Sequence, residues 1–123
     1  MMDNVRKPKY YIYPGLNISE REEFVKTLEF KPLWIMETVA KYYHLSVDRM
    51  ISNMRYTEYK VPRFIAAYFV KKHTALTPDQ IAIIFKRERT TILHSVKQVQ
   101  NWIDTNDSRK ADIEFLQNYF VVK

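Results

Sequence analysis

Apolar residues recur every three or four positions along most of the chain, the spacing that places them on one face of an α-helix. Capping residues and prolines divide this pattern into segments. They predict helices over residues 19–30, 32–44, 47–53, 62–73, 78–85, 90–105 and 108–121. Residues 54–60 lack an apolar period and are predicted to form a loop, with Pro62 starting the next helix. The pattern therefore predicts an all-α single domain of six or seven helices.

Two consecutive segments form a helix-turn-helix pattern. Thr77 and Pro78 are a capping hydroxyl and a first-turn proline, which begin a short helix. After the interruption at residues 86–89, a longer helix has an apolar stripe of Ile92, Val96, Val99 and Ile103. Its opposite face has the polar side chains of Thr90, His94, Lys97 and Asn101. Hydroxyl, imidazole, ammonium and amide groups on an exposed helix are suited to reading bases in the major groove.

Composition excludes several other functions. The single glycine cannot supply either glycine-rich phosphate-binding motif, and with no cysteine there is neither a disulfide nor a thiolate site. No long uncharged apolar run is present, so we expect a cytoplasmic protein with no membrane contact. The three histidines are far apart in sequence and no nucleophile motif occurs. We therefore expect no enzymatic activity, no metal, no cofactor and no small-molecule substrate.

Charge is concentrated in the middle of the chain. Residues 60–97 contain eight basic and two acidic side chains, a net charge of +6 that equals that of the whole chain. Such a block is typical of a protein that binds a polyanion, although it is also compatible with a solvated surface that has no partner. About seven phosphate contacts would give a log–log salt slope of about −6 for binding to duplex DNA.

A family resemblance sharpens this prediction. The stretch RERTTILHS at residues 87–95 resembles the motif RDHTTVLHA of the bacterial chromosomal replication initiator DnaA, and TVAKYY at residues 38–43 resembles that family's TVAxYY. The similarity covers about residues 35–103, the C-terminal DNA-binding domain of the family. It implies a Trp-repressor-like helix-turn-helix domain over residues 32–123. Residues 1–31 lie outside the resemblance, and their own prolines and the capping box at Ser19 predict an N-terminal arm and a short helix.

The resemblance also implies which residues contact duplex DNA. Base contacts fall on Glu88, Arg89, Thr90, Thr91 and, in the minor groove, Arg55. Phosphate contacts fall on Arg63, Lys71, Thr77, Pro78 and His94, with Thr77 and Pro78 acting through backbone amides. Arg87 and Lys97, which belong to the basic block and lie before and on the long helix, are also predicted to contact phosphate.

Three departures from the family bear on the DNA site. Glu88-Arg89 replaces Asp-His, the Gly-Gly turn has lost a residue and contains Lys86, and Val61 stands where the family has arginine. We therefore expect the site preference of this chain to differ from the nine-base preference of the family. The ATPase module of the family is also expected to be absent.

The resemblance implies a role in replication initiation or its regulation, by a monomer or weak dimer, with replication proteins as possible partners. An alternative is a transcription regulator or a protein-interaction module that keeps the fold with altered or lost DNA reading. Trp34, Trp102, Tyr119 and Phe120 would then form a contact surface instead of filling the core.

Overall fold

The structure is a computed structural model that describes residues 30–122, with side chains described for residues 31–121. The described part contains no strand and has six helices: α1 Phe30–Tyr42, α2 Val47–Met50, α3 Thr57–His73, α4 Pro78–Phe85, α5 Arg89–Asp104 and α6 Lys110–Val122. The all-α class is therefore confirmed. The predicted arm, and the predicted helix over 19–30 apart from its last residue, lie outside the described residues. None of the described helices combines the length and apolarity needed to cross a membrane.

Helix α3 forms the centre of the domain. All residues from Val61 to Val70 are buried, and the helix packs against α1, α2, α4 and α5. Phe69 has no exposed surface and contacts the ring of Phe120 from α6 at a centroid distance of 5.0 Å. A helix buried on all sides cannot show a clear apolar stripe, because its neighbours cover every face.

The start of α3 corrects the sequence prediction. The helix begins at Thr57, so residues 57–60 are helical and Pro62 lies inside the helix. Tyr59 explains the earlier start, since its ring is buried and its hydroxyl accepts a hydrogen bond from Arg49 Nη1 at 2.9 Å. Pro62 lacks the N–H that would donate to the Glu58 carbonyl. Glu58 is exposed, so water can satisfy that carbonyl and limit the cost.

The other boundaries lie close to the prediction. Helix α4 has the predicted bounds, and α5 begins and ends one residue earlier than expected. Ser46 caps α2 by accepting from the Arg49 N–H at 3.1 Å, but the helix ends at Met50, three residues before its predicted end.

Three helices end in a left-handed residue that is not glycine. His44, Lys86 and Asn106 have φ angles of 62°, 57° and 57°. In each case the next residue donates its N–H to the carbonyl five residues earlier, at 2.8, 3.0 and 3.0 Å respectively. This is the Schellman arrangement, which satisfies carbonyls at the end of a helix. The chain can therefore turn sharply at these three helix ends without a glycine, a residue that occurs only once in the sequence.

Most of the aromatic residues considered as a possible contact surface belong to the core. Trp102 and Phe120 are buried, Trp34 is half-buried against the edge of Phe120, and Tyr119 is exposed. The ring of His73, the last residue of α3, contacts the rings of Phe69 and Phe120, each at a centroid distance of 5.8 Å. Burial, followed by the charges of Lys72 and Lys31, lowers the pKa of His73, so its neutral form is favoured.

Candidate nucleic-acid interface

Helices α4 and α5 form the helix-turn-helix. Thr77 begins α4 with a capping box, in which its Oγ1 accepts from the Gln80 N–H at 3.2 Å and its own N–H donates to Gln80 Oε1 at 2.9 Å. Helix α4 ends at the left-handed Lys86, and α5 begins at Arg89 with Glu88 as its N-cap. Three residues separate the helices, and the Schellman bond from the Arg87 N–H to the Ala82 carbonyl sets the direction of the turn.

The long helix α5 presents one polar face to solvent. Ile92 and Val99 are buried against α3 and α4, as the apolar stripe predicts, and Val96 and Ile103 are half-buried. The polar residues predicted to lie opposite are all exposed: Thr90, His94, Lys97 and Asn101.

The buried face of α5 also includes two residues that the predicted stripe omits, Ser95 and Trp102. Ser95 can be buried because its hydroxyl donates to the Thr91 carbonyl at 2.8 Å. Trp102 stacks on Phe64 of α3 at a centroid distance of 6.2 Å. The centre of the buried face is therefore rotated slightly from the predicted apolar stripe, towards Ser95 and Trp102. The exposed face agrees with the prediction.

The first turn of α5 brings the predicted base-contacting residues to the surface. Glu88, Arg89 and Thr90 are exposed and Thr91 is half-buried. Glu88 makes no side-chain capping bond, so its carboxylate does not hold the helix end. Arg89 Nε lies 3.7 Å from Asp79 Oδ1 of α4, and both side chains are more than half exposed.

A second exposed element lies outside the helix-turn-helix. Arg55 is exposed in the loop between α2 and α3, residues 51–56, which we call the basic loop. Lys71 is exposed in the last turn of α3.

Lys60 is a further cation of this surface, and it is not among the contact residues predicted from the sequence. The Lys60 Nζ lies 5.9 Å from the centroid of the Phe64 ring, and the same ring meets His94 edge-on at 5.9 Å. Lys60 is exposed and belongs to the basic block, which was the only sequence signal available. By contrast, Lys72 of the same block points toward α6, where its Nζ donates to Gln117 Oε1 at 2.9 Å.

Two of the residues predicted to contact phosphate, Arg63 and Arg87, have guanidinium groups that bond to backbone carbonyls inside the protein. Arg63 is only 8% exposed, and its Nη1 donates to the Met50 carbonyl at 3.1 Å. Arg87 is half-buried, and its Nη2 donates to the Ser52 carbonyl at 2.6 Å. Both side chains bind the backbone around the basic loop, which the sequence could not reveal because the partners lie 13 and 35 residues away.

The amides at the start of α4 are also largely occupied. The Thr77 N–H is bonded to Gln80, Pro78 has no N–H, and the Gln80 N–H is bonded to Thr77. Among the described first-turn residues this leaves the amide of Asp79 for an outside acceptor, and the Asp79 carboxylate would repel an anion there. We therefore expect any contribution of this helix end to phosphate binding to be small.

The described residues contain no group of three or more acidic or histidine side chains placed to hold a metal ion. The described part does show a capped short helix, a tight turn and a long helix with an exposed polar face, and Arg87 bonds the turn to the basic loop. These features define a helix-turn-helix domain of the DNA-binding class.

Comparison with known proteins identifies the particular family. Residues 33–99 match the family described as the bacterial dnaA protein helix-turn-helix, and the chain belongs to that family. Similar proteins include the chromosomal replication initiator protein DnaA of Wolbachia pipientis wMel, with 37% identity over 87 residues, which are 70% of this chain and 19% of that protein. The DnaA of Caldanaerobacter subterraneus is 32% identical over 92 residues, 75% of this chain and 21% of its own length. The chain thus spans about a fifth of the length of these curated relatives.

Proposed function

We propose that this protein binds a specific site on duplex DNA by inserting α5 into the major groove while the basic loop enters the adjacent minor groove. The observation that carries the proposal is the exposed polar face of α5, which continues from the N-cap Glu88 to Asn101 on a helix whose other face is buried. A solvated helix needs only hydrophilic residues. This one combines donors, acceptors and a thymine-compatible methyl group at its N-terminal end, where a recognition helix meets the bases.

Base selection would rest on the first turn of α5. The Arg89 guanidinium suits the O6 and N7 acceptors of guanine, and the Glu88 carboxylate suits the amino group of cytosine. The exposed Thr90 and half-buried Thr91 add hydroxyl and methyl contacts. Because Arg89 replaces the histidine of the family motif, we expect at least one position of the site to prefer guanine.

Phosphate binding would come from exposed cations around this helix. Lys97 lies on the polar face of α5, while Lys60 and Lys71 lie towards either end of α3. His94 also projects from the polar face and can donate to a phosphate oxygen. Arg55 in the basic loop would enter the narrow minor groove, whose negative potential attracts a guanidinium.

The biological process proposed for this binding is replication initiation or its regulation. It is supported by family membership and by relatives named as chromosomal replication initiators. The matched family model is a helix-turn-helix, so we propose no catalytic activity for the matched region.

A second candidate function has one observation in its favour. Phe115 and Tyr119 of α6 are 57% and 38% exposed, and they border a groove of about 420 Å³ shared with Trp34 and Tyr42 of α1. Exposed aromatic rings beside a groove are typical of protein contacts. This face could support a protein-interaction role, either alongside DNA binding or in its place.

The proposal is tested by selecting binding sites from a random duplex library and titrating the selected site. The double variant Arg89→Ala/Thr91→Ala should lose the selected sequence while keeping the helical circular dichroism of the wild type. Gln100→Ala, an exposed position of the same helix that bonds to Asp104, is the matched control. Unchanged binding by the double variant would refute major-groove reading and favour the protein-interaction role.

A further inference from the structure

Arg87 links the helix-turn-helix to the basic loop. Its Nη1 donates to the carbonyls of Phe85, the last residue of α4, and of Lys86, the C-cap of that helix, at 3.2 Å each. The same guanidinium reaches across to the basic loop, where Nη1 donates to the Ile51 carbonyl at 3.2 Å and Nη2 to the Ser52 carbonyl at 2.6 Å. One side chain therefore spans two segments that are 35 residues apart in sequence.

These bonds occur where carbonyl groups accumulate. Ile51 and Ser52 follow the end of α2, and Phe85 and Lys86 close α4, so both sets lie at helix C-termini, where a cation is favoured. Charge-assisted hydrogen bonds of this kind are about twice as strong as neutral ones. A planar guanidinium can serve several carbonyls at once, which the single ammonium of lysine cannot do with the same geometry.

The basic loop has other contacts, within itself and to its flanking helices: Ile51 packs against the core, the Met54 N–H donates to the Ser52 hydroxyl at 3.4 Å, and the Tyr56 carbonyl accepts from the N–H groups of Tyr59 and Lys60 at 2.9 Å each. Arg63 holds the Met50 carbonyl just before it, and the Ser52 hydroxyl donates to the Arg49 carbonyl at 2.8 Å. The loop residues from Asn53 to Tyr56 are exposed and contribute nothing to the buried core. The bonds of Arg87 differ from these contacts because they join the loop to the turn that precedes α5, so we expect the position of Arg55 relative to α5 to depend on them.

We propose that Arg87 is a positioning residue that sets the spacing between the two DNA-reading elements, the minor-groove loop and the major-groove helix. Arg87 begins the stretch that leads into α5, so the element that fixes the helix also fixes the loop. This inference rests on the proposed function, since it assumes that both elements contact the same duplex. Without Arg87 the loop would lose its link to the turn before α5, and part of the binding free energy from Arg55 would be spent on ordering the loop.

The test is a double-mutant cycle between Arg87→Gln and Arg55→Ala, measured on the selected duplex. We expect each single variant to weaken binding by roughly tenfold or more, which corresponds to about 1.4 kcal/mol or more. The double variant should bind no more weakly than Arg55→Ala, because Arg87 acts through Arg55. Lys86→Gln is the matched control, since it removes one charge from the same turn without removing the guanidinium bridge. Losses that multiply, or an Arg87→Gln loss equal to that of Lys86→Gln, would overturn the proposal.

Two further measurements separate positioning from general destabilisation. Replacing adenine by 2,6-diaminopurine adds an amino group to the minor groove and leaves the major-groove edge unchanged. This replacement in the flank that Arg55 contacts should weaken wild-type binding and leave Arg87→Gln binding almost unchanged, whereas equal sensitivity of the two proteins would contradict the proposal. Arg87→Lys should restore little of the affinity, and full rescue would likewise contradict it.

Hydrogen exchange of the free protein distinguishes failure of this inference from failure of the proposed function. Arg87→Gln should speed amide exchange in residues 52–56 while the amides of α5 stay protected. If the wild type binds no duplex but this change in exchange occurs, the proposed function fails and the bridge stands as a structural link only. If the exchange is unchanged, the positioning role fails whatever the protein binds.

Discussion

The salt dependence of DNA binding should be weaker than the charge of the sequence suggests. Counting Arg63 and Arg87 among the phosphate contacts leads to a log–log slope of about −6. In the structure both guanidinium groups bind backbone carbonyls instead. Five exposed cations remain on the proposed surface: Arg55, Lys60, Lys71, Arg89 and Lys97.

The magnitude follows from the number of these cations. If all five displace counterions at about 0.9 each, the slope is about −4.5. Raising monovalent salt from about 50 to 200 mM should then weaken binding about 500-fold, against about 4,000-fold for a slope of −6. The difference is close to a factor of eight, which fluorescence anisotropy with a labelled duplex resolves easily.

Single substitutions show which residues contribute to the slope of the salt dependence. Lys97→Gln should reduce its magnitude by about 0.9. Lys41→Gln removes another exposed charge, from α1 beside the groove that α1 shares with α6, and should leave the slope unchanged. A wild-type slope of −6 or steeper would refute the inward placement of the two arginines. A slope near zero would refute the proposed surface altogether.

Three other predictions follow from local features. Lys86→Gly should raise the free energy of unfolding by about 0.5–1 kcal/mol, because a left-handed residue with a side chain costs about 1–2 kcal/mol and glycine returns part of that gain as unfolded-state entropy; a lower midpoint in thermal denaturation would contradict this. Because the folded-state pKa of His73 is lowered, unfolding takes up a proton below about pH 6.5, and stability should fall as the pH drops from there; urea titrations at pH 7.5 and 5.5 should show a smaller pH effect in His73→Gln. Asp79→Asn removes a carboxylate 3.7 Å from Arg89 and should tighten binding to both specific and non-specific duplex at low salt with little change in melting temperature; unchanged affinity would show that Asp79 does not face the DNA.

Local chemistry accounts for the elements that the sequence predicted well. The bounds of α4 follow from Thr77 and Pro78, whose capping bonds involve residues at most three positions away. The polar face of α5 follows from helical periodicity alone, since its exposed and buried sides repeat every 3.6 residues. Left-handed helix ends were harder to predict, because Lys86 and His44 occupy positions where glycine is the usual residue.

The errors arise where a residue's partner is distant in sequence. Residues 57–60 contain no apolar stripe, yet they are helical because Tyr59 packs in the core and bonds to Arg49. Arg63 and Arg87 are basic residues of the type that binds phosphate. No local sequence pattern distinguishes them from an exposed arginine such as Arg55.

The sequence alone determines the order of the short and long helices, their caps and the polar stripe, because helix formation depends on contacts within one or two turns. Only the folded structure determines which arginines are available to bind an anion. A guanidinium bonds to backbone carbonyls only after packing brings them within reach, and the segments concerned become neighbours only when α2, α3 and α4 assemble around the common core.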